Sequence, residues 1–243
     1  MYSKSAMASP FDRREFLALL GSAAASAVVR GKKVPALPPL LDHFILGCSD
    51  LDAGISFVEQ HTGVRAAFGG VHPGRGTRNA LLSLGPRRYL EIMAPDREQK
   101  VTPQIARLPE LKEPRIVGWA AHVDNIEELA THLREQSIEF EPPRAGSRQR
   151  PDGKVLHWKS LTLKDDQGGL LPFFIEWSAD SVHPSTDAPQ GCQLDSFTAM
   201  ATDPVGLKKL LDRLGLELPM DRGAKSMLRA SLSHAEKKLD LSS

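Results

Sequence analysis

Ser49 to Ala66 reads "SDLDAGISFVEQHTGVRA", and the same pattern returns as "DNIEELATHLREQSIEFE" from Asp124 to Glu141 and "TDPVGLKKLLDRLGLELP" from Thr202 to Pro219. Each copy opens on a residue whose side-chain oxygen can take the free amides of a first helical turn: Asp50, Asn125 and Asp203. Pro204 then occupies the first helical position, where its missing N–H costs nothing. Apolar residues follow at helical spacing: Leu51, Ile55 and Val58; Ile126, Leu129, Ala130 and Leu133; Leu207, Leu210, Leu211 and Leu214. The first and third runs stop at Gly63 and Gly215, glycines of the kind that close a helix. The caps recur at intervals of about 75 residues, which marks a repeated unit.

Outward from the helices, each is preceded by a strand-like run: "LDHFILGC", "IVGWAAHV" and "QLDSFTAMA". Further strands follow, "NALLSL" and "YLEIM" in the first copy, "HWKSLTL" and "PFFIEW" in the second. The unit is β-α-β-β-β. In the third copy the last strands are weak, and the chain ends at "KKLDLSS". The expected fold class is α+β, with paired modules at residues 41–96 and 115–183 and a third, partial β-α-β module at 190–243. That last module either completes a second cup or covers a sheet edge that would otherwise invite pairing.

Composition excludes some function classes. A chain of 243 residues with 41% hydrophobic and 25% charged residues can bury a substantial core. A formal net charge of +1, with basic residues scattered, gives no footing for nucleic acid. The N-terminus differs from the rest. Arg13 and Arg14 stand just before an apolar, small-residue run from Phe16 to Val29, too short to span a bilayer comfortably. Ala25-Ser26-Ala27 forms an A-x-A cleavage site, so residues 1–27 read as a twin-arginine export signal. Residues 28–40 read as a proline-rich linker. The expected location is periplasmic or extracellular, with no stable membrane insertion after cleavage. Cys48 and Cys192 are expected to be buried free thiols in strands.

The segments "LDHFILGCSDLD", "GGVHPGRGTRNALLSLG", "YLEIM", "GWAAHVDNIEE" and "LPFFIEW" resemble the vicinal oxygen chelate superfamily. More narrowly they resemble its glyoxalase-like domain family, with glyoxalase, bleomycin-resistance and dihydroxybiphenyl dioxygenase proteins as kin. The resemblance covers Leu41 to Ser181 and implies tandem modules that form a cup-shaped mixed sheet. It also implies that any metal is held by the first and last strands of each module. His43 matches the first strand of module one, Glu91 its last strand, and Glu176 the last strand of module two. Gly118 stands where the fourth ligand belongs. His122 returns to the face of Gly118, but about 13 Å along the strand.

The residues argue for this site independently. A mid-strand carboxylate between apolar neighbours, as at Glu91 and Glu176, is costly to bury unpaired. One His and two Glu make a mixed N/O set for zinc, manganese, iron or nickel. Otherwise His43 hydrogen-bonds a carboxylate and the glutamates face arginines such as Arg75, Arg78 or Arg88.

The stretch "GGVHPGRGTRN", Gly69 to Asn79, leads into a strand, so it is neither a phosphate loop nor a dinucleotide fingerprint, and no nucleotide is expected. Its alternation would set Arg75, Thr77 and Asn79 on one ligand-facing side, with Arg75 offering a planar fork to an anion. His72, Trp119 and His157 are further candidates for substrate contact. "RAGSRQRPDGKVLHW" reads as an exposed hairpin around Pro151-Asp152-Gly153.

Two functions follow. One is a metal-assisted isomerase, lyase or dioxygenase acting on a small oxygenated substrate, with Glu176 or Glu91 shuttling the proton. The other is a metal-free cup that binds or sequesters a small molecule without turnover. In either case the partner is a small molecule, met by a single chain or by a homodimer.

Overall fold

The structure is a computed structural model and describes residues 37–100, 102 and 106–243. The predicted signal at 1–27 and most of the linker lie outside the described residues. No helix among the described residues is long and apolar enough to cross a membrane.

The first part of the chain runs β1 (Leu41–Gly47), α1 (Leu51–Thr62), β2 (Ala67–His72), β3 (Thr77–Ser83) and β4 (Tyr89–Pro95). The second runs β5 (Arg115–His122), α2 (Ile126–Glu135), β6 (Arg144–Gln149), β7 (Val155–Leu161) and β8 (Phe173–Trp177). These eight strands close on themselves in the order β1-β4-β3-β2-β6-β7-β8-β5. The sheet is mixed: β1 runs parallel to β4 and antiparallel to β5, while β5 runs parallel to β8. Closure leaves no free sheet edge in this part of the molecule.

After a short helix α3 (Pro184–Asp187) come β9 (Gln193–Ala201), α4 (Pro204–Arg213), β10 (Met220–Arg222), β11 (Met227–His234) and β12 (Lys237–Ser242). They form a separate four-stranded sheet, ordered β10-β9-β11-β12. The strands that look weak in the sequence therefore exist as an antiparallel hairpin, β11 against β12, carried by alternate burial of Leu239 and Leu241. This sheet neither completes a second cup nor covers an edge. It packs on the outside of the barrel, where Phe197 of β9 meets Phe44 of β1 and Trp119 of β5, all within one apolar core.

Local chemistry explains the helices. Asp50 accepts from the Ala53 amide, Asn125 from those of Glu127 and Glu128, and Asp203 from that of Gly206. Gly63 closes α1 at φ 79°, in the left-handed region that glycine adopts freely. α1 lies close on the barrel because Gly54 has no side chain. A Cβ there would overlap Cys48 Sγ and Ile92. Cys48 and Cys192 are buried and unpaired, but each lies just outside a strand rather than within one. Burial pushes the Cys48 thiol up to about 12, and neighbouring Asp50 adds to the rise.

Period-2 alternation sorts the barrel strands into two faces. Phe44, Leu46, Leu90, Ile92, Trp119, Ala121 and Phe174 join the outer core with the helices. The opposite face lines the lumen, with an apolar wall of Ala120, Leu156, Trp158 and Ile175 on the β5–β8 side. The polar groups lie on the other wall.

Candidate active site in the barrel lumen

A β-bulge builds the site. In the pairing of β1 with β5, Leu41 faces Ala121 and His43 faces Ala120, so Asp42 is an extra residue on its strand. The bulge brings two adjacent side chains together, and Asp42 Oδ1 lies 2.6 Å from His43 Nδ1. Asp42 also accepts from Trp177 Nε1 at 3.1 Å and from His183 Nε2 at 3.1 Å. Its burial raises the carboxyl, but the hydrogen bonds from His183 and His43 hold it well below the usual carboxylate range. An ionised Asp42 can only accept, so His43 carries its proton on Nδ1.

That fixes the direction of the other nitrogen. His43 Nε2 stands 3.6 Å from Glu91 Oε2, inside the barrel. The ring stacks on Tyr89 at 4.4 Å between centroids and meets Phe173 edge-on. Burial pushes the Tyr89 hydroxyl well above its ordinary value, so it remains neutral.

Glu91 is the centre of the polar wall. Asn79 Nδ2 donates to its Oε1 at 2.6 Å, and His72 Nε2 lies 3.6 Å from the same oxygen. His72 is held in turn by Thr77, with Nδ1 2.8 Å from Oγ1. Burial alone would raise the Glu91 carboxyl. The imidazoles of His72 and His43, the Asn79 amide and the Arg148 guanidinium outweigh it and hold the group below its ordinary value. Burial lowers His72, against the pull of Glu91.

Arg148 of β6 completes the wall at 4% exposure. Its Nη1 reaches Asn79 Oδ1 at 3.5 Å, and no carboxylate stands within ion-pair distance of it among the described residues. Gly69 and Gly70 make this possible. A Cβ on Gly69 would overlap Nη1 and the Asn79 oxygen, and one on Gly70 would overlap the Gln149 carbonyl. The paired glycines of "GGVHPGRGTRN" are thus the gap through which a guanidinium enters the lumen.

The lumen also has an open side. Gly118 and Ile45 face each other across β5 and β1, and both are partly exposed. A Cβ added at Gly118 would meet nothing within 4 Å.

The structure brings together His43, His72, Thr77, Asn79 and Glu91 from the sequence-based candidates and places Glu176, Trp119 and His157 elsewhere. Glu176 lies on the outer face of β8, where its Oε2 accepts from the Ile126 amide at 2.7 Å and caps α2. Alternation sends Trp177 inward and Glu176 out. Trp119 points into the outer core, donating from Nε1 to the Leu170 carbonyl. His157 is exposed on the outer face of β7, because its neighbours Leu156 and Trp158 take the lumen side. Arg75 sits at the exposed tip of the β2–β3 hairpin, since β3 begins only at Thr77, yet its charge still acts on Glu91 and His72. Sequence reasoning missed Asp42, Arg148 and His183. A polar residue beside His43 and a glycine pair ahead of an unassigned arginine were the available signals.

A metal requires donors meeting at one point, and these residues do not supply it. Glu176 faces away from His43 and Glu91, and the second half of the barrel offers Gly118, Ala120 and Ile175 to the lumen. Among the described residues no group of three or more His, Cys, Asp or Glu is arranged to hold a metal ion. The set expected for zinc, manganese, iron or nickel does not fit. What remains is a buried acid–base array, Asp42–His43–Glu91, beside an apolar wall.

Residues 41–215 match the model of a glyoxalase-like domain. No curated protein matches the chain. Among solved structures, a hypothetical protein from Staphylococcus aureus aligns with TM-score 0.57 and 16% identity over 83% of this chain and 84% of its own, which shows a common fold. A methylmalonyl-CoA epimerase variant from Streptomyces coelicolor, in complex with 2-nitronate-propionyl-CoA, aligns with TM-score 0.43 and 20% identity over 57% of this chain and 97% of its own. The methylmalonyl-CoA epimerase from Mycobacterium tuberculosis aligns with TM-score 0.42 and 21% identity, over 58% and 89%.

Proposed function

Because the chain belongs to the glyoxalase-like domain family, we propose that it is an isomerase or lyase that moves a proton on a small oxygenated molecule held in the barrel lumen. One observation carries this reading: Asp42 accepts a hydrogen bond from His43 Nδ1–H and so turns Nε2 toward Glu91, at 3.6 Å. A carbonyl compound entering from the side of Ile45 and Gly118 would meet both groups. Glu91, held ionised, serves as the base at the acidic carbon, and His43 receives or returns the proton at the neighbouring oxygen. Asn79 keeps the Glu91 carboxylate in place. The apolar wall around Trp158 and Ile175 takes the body of the molecule.

On sequence grounds the reading also takes the chain across a membrane by Arg13 and Arg14 before it works.

The test is wash-in of solvent deuterium, followed by NMR, over a panel of enolisable 2-oxo acids, hydroxy aldehydes and acyl thioesters. Wild type is expected to label at least one of them, and Glu91→Gln to lose about 100-fold or more of that rate. Chelator treatment is expected to leave the rate unchanged. If no compound is labelled although small molecules bind in the lumen, sequestration without turnover replaces this reading. That second reading has its own support in the near-complete burial of His43 and Asn79, each 2% exposed.

A further inference from the structure

We propose that Arg148 receives the carboxylate of a small organic monoanion with an apolar body, which makes that class the ligand of the lumen. The inference rests on the reading of the lumen as the working site. A guanidinium carries several N–H donors and keeps its charge in proteins. Buried, it is costly unless an anion and further hydrogen bonds satisfy it. Arg148 is 4% exposed, yet a single hydrogen bond of 3.5 Å to Asn79 Oδ1 is its only side-chain partner among the described residues.

The surroundings keep it in that state. Asn79 donates to Glu91 with its amide nitrogen and turns its oxygen to Arg148, so the amide stands between the acid and the cation. A direct Glu91–Arg148 pair would have neutralised both. Gly69 and Gly70 give up side chains where any Cβ would displace the guanidinium or the strand beside it. Burial lowers Arg148, while Glu91 pulls it up.

The class of ligand follows from charge and shape. The planar fork of an arginine matches the two oxygens of a carboxylate. Asp42 and Glu91 already place two carboxylates in the lumen against Arg148 and the more distant charge of Arg75, so a monoanion is favoured over a phosphate dianion. Leu156, paired directly beside Arg148 across β6 and β7, and the adjoining Trp158 and Ile175 suit an apolar or aromatic body. Trp158 lies flat over Gly146, where a Cβ would strike its ring.

The experiment is calorimetric titration of the purified chain with benzoate, with benzamide as the neutral isostere and inorganic phosphate as the dianion. Saturable binding of benzoate, and not of the other two, is expected. Arg148→Met should weaken it about tenfold or more, and Arg148→Lys should weaken it as well by losing the fork. Gly69→Ala gives an independent handle, since it shifts the guanidinium without removing its charge, and far-UV circular dichroism shows which variants are folded. No benzoate binding by wild type, or equal binding by wild type and folded Arg148→Met, overturns the proposal, as does binding of benzamide as tight as that of benzoate.

Glu91→Gln separates this inference from the proposed function. It should stop deuterium exchange and leave benzoate bound at least as tightly, since it removes a negative charge from the lumen. Exchange that continues undiminished in Arg148→Met overturns the role of Arg148 and leaves the proton-transfer reading standing. Benzoate binding that needs Arg148, in a chain that exchanges no proton, upholds Arg148 and removes that reading.

Discussion

Asp42 takes three hydrogen bonds in a position with no exposure at all, and its carboxyl is held low for that reason. Because the folded value lies below the unfolded one, Asp42 contributes stability fully above the unfolded pKa of about 3.9. The contribution fades as pH falls from there toward the native value. Asp42→Asn leaves donors facing a donor and is expected to cost about 3 kcal/mol at pH 7 in urea unfolding. The gap between the two proteins should begin to narrow only below about pH 4 and shrink steadily from there. A gap that stays constant across that range would show that Asp42 is not ionised in the fold. Gly118 makes the opposite argument. Glycine within a strand costs about 0.5–1 kcal/mol relative to alanine, and here the added methyl would meet nothing within 4 Å. Gly118→Ala is therefore expected to stabilise the chain by about that amount while narrowing the open side of the lumen. Thermal melting together with benzoate titration checks both halves. A destabilised variant would mean the space is not there.

At the scale of elements, Glu176 caps α2 from the outer face of the barrel. It accepts the Ile126 amide while Asn125 accepts the two amides that follow, so three free N–H groups of α2 are met by two side chains. Glu176→Gln is expected to cost about 1 kcal/mol in urea unfolding and to leave deuterium exchange and benzoate binding unchanged. A loss of exchange comparable to that of Glu91→Gln would return Glu176 to the site. The contrast shows what a single sequence can disclose. Helix starts are legible because a cap depends on neighbours within one turn, as at Asp50, Asn125 and Asp203. The two faces of a strand are less so, because one extra residue changes which side chains share a side. The bulge at Asp42 sets a carboxylate beside His43, and no alternation pattern records it. Arg148 sits in "RAGSRQRPDGKVLHW", polar enough to read as solvent-exposed. Its burial is decided on another strand, by Gly69 and Gly70.

At the scale of the whole molecule, barrel and second sheet share a core through Phe197, which is fully buried against Phe44 and Trp119. Phe197→Ala is expected to cost about 3–5 kcal/mol, with the barrel and the second sheet still melting in one transition. Two separated transitions, followed by Trp fluorescence and circular dichroism, would show the sheet to be independent. The same cooperativity bears on export. The lumen network joins residues far apart in the chain, from Asp42 to His183, so it exists only once the chain is folded. A route that carries folded cargo suits such a protein, and Arg13 and Arg14 precede an apolar run as that route requires. Replacing both with lysine keeps the positive charge that a general secretion signal needs and removes only the paired guanidinium groups. The variant is expected to accumulate inside the cell as an unprocessed precursor, folded and able to bind benzoate, while the wild-type chain appears outside the cytoplasm without its first residues. Fractionation and mass measurement of the mature N-terminus decide it. Undiminished export of the lysine pair would assign the chain to a route that moves unfolded chains, and the lumen would then have to assemble after crossing.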